Sequence, residues 1–176
     1  MTLTLALTET ERSRLLSEAR NGKTMAGTDS FVIVVGFDGS ENSQNALMWA
    51  VEEARQRNGQ IRLVTAWSKP PLAWYAAVLE TAAGEIVAED SPQEIAETLQ
   101  ADALKTAEDA GVAATGKVVH NDSPAAAVLD AAEDADLVVV GFRGHGGFPG
   151  LHLGSVATQV ISHAPCPVLV VRPKAA

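Results

Sequence analysis

The chain has 176 residues, enough for one domain with a sizeable core, and 47% of them are hydrophobic. Its 22 acids against 13 bases give a formal net charge of −9, which repels a phosphate backbone and argues against nucleic-acid binding, though not against one nucleotide held by local dipoles. A lone cysteine, Cys166, excludes an intrachain disulfide or a cysteine metal cluster and suits a cytoplasmic setting, and no apolar run reaches the roughly 18 residues that would imply a membrane span.

Residues 1–29 differ from the rest and read as a partly ordered N-terminal extension. Thr8-Glu9-Thr10-Glu11 has the pattern of a helix cap, with a helix through about Ala19. The opening MTLTLALT lacks a basic leader and meets Glu9, Glu11 and Arg12 at once, so it does not read as a signal peptide. Residues 30–176 form the second unit. Phe31 to Val35 is a continuous apolar run, the pattern of a strand buried on both faces. Ser40 or Glu41 opens a helix through about Arg57, with Ala46, Leu47, Ala50, Val51 and Ala54 on one face. Asn58-Gly59 stops it, and Ile61 to Trp67 is a second strand.

Pro70-Pro71 marks a turn, and Leu72 to Ala88 is apolar but weakly periodic. Ser91-Pro92 caps a helix through about Ala110, ended by Gly111. Thr115 to His120 is strand three, Ser123-Pro124 starts a helix ending near Asp134, and Leu137 to Val140 is strand four. A last helix runs from Ser155 to about His163, and Val168 to Val171 is strand five. Strands alternating with helices in this way predict an α/β fold with an open, doubly wound parallel sheet.

The most informative segment is Gly141-Phe142-Arg143-Gly144, nine residues, then Gly154-Ser155. It leaves a buried strand and enters a helix, where free N–H groups and a partial positive charge favour phosphate. Gly141 and Gly144 leave room for ribose or phosphate, Gly154 lets the backbone approach, and the Ser155 hydroxyl can donate. A flexible turn alone would also use such glycines. No Walker A sequence exists, and Pro149 stands where a dinucleotide motif needs its third glycine. His120, His145, His152 and His163 lack metal spacing, and Cys166 between prolines reads as packing. No nucleophilic elbow surrounds Ser155.

With these motifs in order, the chain resembles the ATP-binding branch of the universal stress protein family. Gly141, Gly144, Gly154 and Ser155 match its G-x2-G-x9-G-[ST] pattern, Asp38 matches the aspartate closing its first strand, and Pro167 to Val171 matches its last strand. The resemblance covers about residues 30–173. It implies a Rossmann-like five-stranded sheet in the order 3-2-1-4-5. It implies that Asp38 and the Ala66 backbone hold adenine, that Val140 and Gly141 lie by the ribose, and that Gly144, Gly154, Ser155 and Val156 hold the phosphates; Gly36 counts among the nucleotide-binding residues, and Arg143 could reach phosphate. Mg²⁺ would be held through the phosphates. Asp38 could instead cap the helix that follows it. Asn121-Asp122 departs from the family, which often has a glycine there. A homodimer through Val168 to Val171 is also implied. The implied role is an ATP-binding regulator of the stress response that needs no efficient turnover. A slow ATPase or self-phosphorylating enzyme and a cyclic-AMP receptor are the alternatives.

Overall fold

Strands buried on both faces need uninterrupted apolar side chains, and the computed structural model turns each such run into a strand of one parallel sheet. It describes residues 30–69, 91–144 and 153–172. The expected helix before residue 20, the apolar stretch Leu72 to Ala88, His145 and His152 lie outside them. The elements are β1 (Val32–Gly36), α1 (Glu41–Arg57), β2 (Gln60–Trp67), α2 (Pro92–Asp109), β3 (Ala113–His120), α3 (Pro124–Ala131), β4 (Leu137–Gly141), α4 (Ser155–His163) and β5 (Val168–Val171). The sheet order is β3-β2-β1-β4-β5, all parallel, as the resemblance implies.

Alternation along β1 divides the core in two. Ile33 and Val35 join Leu63, Val139 and the alanine face of α1, with Ala103 and Ala107 of α2. Val34 points the other way, onto Val64, Val138, Val140, Val128 of α3 and Val160 of α4. Helices α1 and α2 therefore cover one face, and α3 and α4 the other. The chain reverses its winding between β1 and β4, so their carboxyl ends open onto a crevice at the topological switch point.

Local chemistry sets the helix ends. Ser40 caps α1 by accepting from the Ser43 N–H, and Asn58 ends it in the left-handed region at φ 50°. Ser91 and Glu94 form a reciprocal capping box on α2, and the two hydrogen bonds from Ser91 hold the Glu94 carboxyl below its usual range. Helix α3 is shorter than expected, ending at Ala131 instead of near Asp134. There the Ala132 N–H turns back to Leu129, and Arg62 donates to the Ala131 carbonyl at 2.6 Å and to Asp134 at 2.6 Å. The guanidinium on the Ala131 carbonyl takes the place of another helical turn. β3 begins two residues earlier than expected because β2 supplies partners from Ala113 onward.

A buried polar contact ties α2 to β2. Gln100, 4% exposed, donates to the Leu63 carbonyl at 3.1 Å and accepts from the Thr65 hydroxyl, in space left by Gly116. A Gln100→Leu variant strands both partners and should lose about 1–3 kcal/mol of stability. Adding Thr65→Val removes one stranded group and should recover part of the loss. Urea unfolding checks both, and additive losses would contradict the assignment.

Candidate functional site

The crevice between β1 and β4 is a cleft of about 450 Å³, within the range of small-molecule sites. It is built at three strand ends. At the end of β1, the buried Phe37 donates its N–H to the Val64 carbonyl at 2.9 Å and closes the β1–β2 ladder. The next residue, Asp38, leaves the sheet. Its Oδ1 accepts from the Ser40 N–H at 3.0 Å and the Ser40 hydroxyl at 2.6 Å, which fixes the turn into α1. Ser40 rather than Asp38 is the helix cap, and Asp38 positions it.

The second strand end leaves β2 with an open edge. Val64 faces β1, so by strand alternation Ala66 faces the same side, where β1 has already turned away. Its N–H and C=O are thus presented to the cleft as one donor and one acceptor. The third strand end is that of β4. Phe142 donates to the Val171 carbonyl at 2.8 Å, so the peptide of Gly141 faces β1. A Cβ on Gly141 would lie 2.8–2.9 Å from backbone and Cβ atoms of Asn42, and one on Gly144 would collide with Asp38 Oδ2. Gly141 is demanded by close approach to backbone, whereas the atom facing Gly144 is the end of a side chain. Gly36 is a milder case, facing Val128 and Val140 side chains.

Helix α4 opens on the same cleft, and its N-terminus is unlike the others. Serine side chains cap α1, α2 and α3, whereas Gly154 at the head of α4 offers no side-chain cap. The first intrahelical bond runs from the Thr158 N–H to the Gly154 carbonyl at 2.9 Å. The N–H groups of Ser155, Val156 and Ala157 therefore have no intrahelical acceptor, and all three residues line the cleft.

All ten residues expected at the site, Gly36, Asp38, Ala66, Val140, Gly141, Arg143, Gly144, Gly154, Ser155 and Val156, line this one cleft. Sequence reasoning missed Phe37, Ser43, Val64, Pro124, Val128, Leu153 and Ala157. Val64 was available from the period-two step back from Ala66; Leu153 and Val128 enter through tertiary packing alone. Among the lining residues described, Arg143 is the sole cation and Asp38 the sole carboxylate. The remaining candidates stand apart. His120 is exposed and packs on the Trp67 ring at 4.5 Å, and His163 is exposed with its ring nitrogen on Gln159. Cys166 is half-buried against the α3–α4 core, and burial raises its thiol above the usual range. No cluster among the described residues could hold a metal ion, and no described helix is long and apolar enough to cross a membrane.

Comparison with known proteins follows the same boundaries. The model of the universal stress protein family matches residues 31–172, and the chain belongs to that family. It is 37% identical over 150 residues to a universal stress protein of Mycobacterium tuberculosis, covering 83% of this chain and 49% of that one. The chain thus spans about half the length of the mycobacterial relatives it matches. A universal stress protein of Thermus aquaticus is 34% identical over 142 residues, covering 80% of this chain and 97% of its own. Among solved structures, the universal stress protein of Archaeoglobus fulgidus in complex with dAMP aligns with a TM-score of 0.56 at 25% identity, over 81% of this chain and 98% of that one. A universal stress protein in complex with cAMP aligns at 0.57 and 23% identity, over 82% and 98%.

The contact between Gly141 and Asn42 is a packing claim that substitution tests. Gly141→Ala forces β4 from the start of α1 and should cost about 1–3 kcal/mol. Gly111→Ala, at φ +75° with no atom within 4 Å, meets backbone strain alone and should cost about 1 kcal/mol. Chemical denaturation compares them, and a harmless Gly141→Ala would contradict the close approach.

Proposed function

We propose that this universal stress protein binds ATP in the cleft between β1 and β4 and acts through nucleotide-dependent conformation or partner binding. The observation that carries the reading is the uncapped head of α4. Three N–H groups and the positive end of a helix face a cleft in an otherwise acidic chain, an arrangement that favours phosphate. Gly141 and Gly144 keep the approach to it clear of side chains, and Ser155 adds an exposed hydroxyl.

The other end of the cleft suits a base. Val64, Val128 and Pro124 supply apolar walls, and the Ala66 peptide presents a donor beside an acceptor. Adenine carries the matching pair on its Watson–Crick edge. The dAMP bound to the Archaeoglobus relative supports adenine as the base. Asp38, at the mouth between the two ends, is placed to accept from a ribose hydroxyl or the adenine amine. With ATP bound, Mg²⁺ would be held through the phosphates, where it neutralises charge. Asp38 is already engaged by Ser40, and the described lining offers no lysine, which supports binding over turnover.

The sheet edge supports a homodimer in this reading. β5 is apolar throughout, yet each of its four residues stays only half-buried, and its outer ladder has no strand beside it among the described residues. A second copy placed there removes an exposed apolar edge. Sedimentation should give the mass of two chains; a monomer at micromolar concentration would contradict this.

Ligand binding to the native state raises stability by mass action, about 2.7 kcal/mol at a hundredfold excess over Kd. For a chain of this size, that is a rise in Tm of roughly 5–10 °C. ATP with Mg²⁺ should produce it in a thermal melt. No shift, together with no nucleotide released from the purified protein on mass spectrometry, would contradict the proposal.

A further inference from the structure

Two buried side-chain polar atoms among the described residues have no hydrogen-bond partner: Nε of Arg143 and Oδ1 of Asn42. Both residues adjoin Gly141, Asn42 beneath it and Arg143 two positions beyond. A buried donor on a charged group is costly to leave unpaired, and among the described residues Arg143 has no acidic partner either. A structural arginine would be expected to pair, as Arg62 does with Asp134. Arg143 is instead held by an aromatic ring. Its guanidinium lies 5.6 Å from the centroid of Phe142, and Arg172 lies 4.2 Å from the same ring. Two cations thus flank Phe142, and neither donates to a carboxylate among the described residues.

Position gives this cation its meaning. Ala66 is on β2 and Gly141 on β4, two strand spacings apart, so the run between them is about 10 Å, the length of a nucleoside. Arg143 lies past Gly141, on the side of β5, and a Cβ on Gly154 would sit 3.2 Å from its Cα. It is therefore beside the head of α4, at the end of the cleft away from Ala66. A nucleoside monophosphate seated on Ala66 puts its one phosphate at Gly141 and the helix head. Further phosphates extend toward Arg143, whose planar fork matches phosphate oxygens.

We propose that Arg143 makes the site discriminate by phosphate number, favouring ADP and ATP over AMP and cyclic AMP. The proposal rests on the reading of the cleft as an adenine-nucleotide site. It assigns Arg143 to specificity, apart from the backbone groups that would hold any phosphate. The charge, the unpaired donor and the place in the cleft all come from the same side chain, so removing it should change selectivity while sparing the base end.

The test is calorimetric titration of the full chain, wild type, Arg143→Gln and Arg143→Lys, with ATP, ADP, AMP and cyclic AMP at fixed Mg²⁺. Wild type should bind ATP on the order of 10- to 100-fold more tightly than AMP, the range of charge-assisted hydrogen bonds. Arg143→Gln should bring that ratio to within about threefold by weakening ATP far more than AMP, and Arg143→Lys, with charge but no fork, should fall between. Equal weakening of ATP and AMP in Arg143→Gln would overturn the proposal, since it marks a residue that only shapes the loop. An unchanged ratio would overturn it too. If wild type binds no adenine nucleotide, AMP included, the underlying reading fails and the proposal with it. Binding of AMP and ATP with equal affinity by wild type overturns the proposal alone.

Discussion

The close approach of the β1 end to the loop after β4 is the constraint on which the rest depends. Asn42 at the start of α1 occupies the place where a side chain of Gly141 would be, and Asp38 does the same for Gly144. The first contact, against backbone, pins the first turn of α1 to the mouth of β4, and the second sets the Asp38 carboxylate against the loop after it. Because Asp38 also sets the Ser40 cap, the same few residues fix the entry to α1 and the near wall of the cleft. The crevice that any doubly wound sheet has at its switch point is here narrowed to a shaped pocket. Its geometry comes from what is missing from the glycines as much as from any side chain present.

The electrostatics follow from the same arrangement. The chain is strongly acidic, yet the cleft offers an arginine, a hydroxyl and the free N–H groups of α4. Fixed dipoles at short range outweigh a diffuse negative surface, which is screened within about 8–10 Å at ordinary ionic strength. The acidic surface discourages polyanions, while one small anion can still be held. Serine caps on α1, α2 and α3 satisfy their own helix heads, which leaves α4 as the described helix whose head has no side-chain cap.

Much of the fold was legible in the sequence because its signals are local. Apolar runs such as Val32 to Val35 and Val168 to Val171 can only be strands here, and the Ser-Pro pairs at 91–92 and 123–124 mark helix starts with a mechanism. Strand order is not local, and it came from the family resemblance. The early end of α3 was not legible, since Arg62 reaches its Ala131 carbonyl from a strand position 69 residues away in sequence. In the cleft, glycine spacing pointed to Gly141, Gly144, Gly154 and Ser155. Leu153 and Val128 carry no motif and join by packing. That Arg143 has an unpaired donor could be known only from the structure.

The central claim is that the free N–H groups at the head of α4 receive phosphate. Amide resonances in a ¹⁵N-labelled sample of this 18.4 kDa chain, titrated with ATP and Mg²⁺, test it most directly. The account predicts large, saturable shifts for Ser155, Val156 and Ala157, with Ala66 moving on the same binding curve. A titration in which those four amides stay still, or in which shifts gather away from the carboxyl ends of β1 and β4, would contradict it.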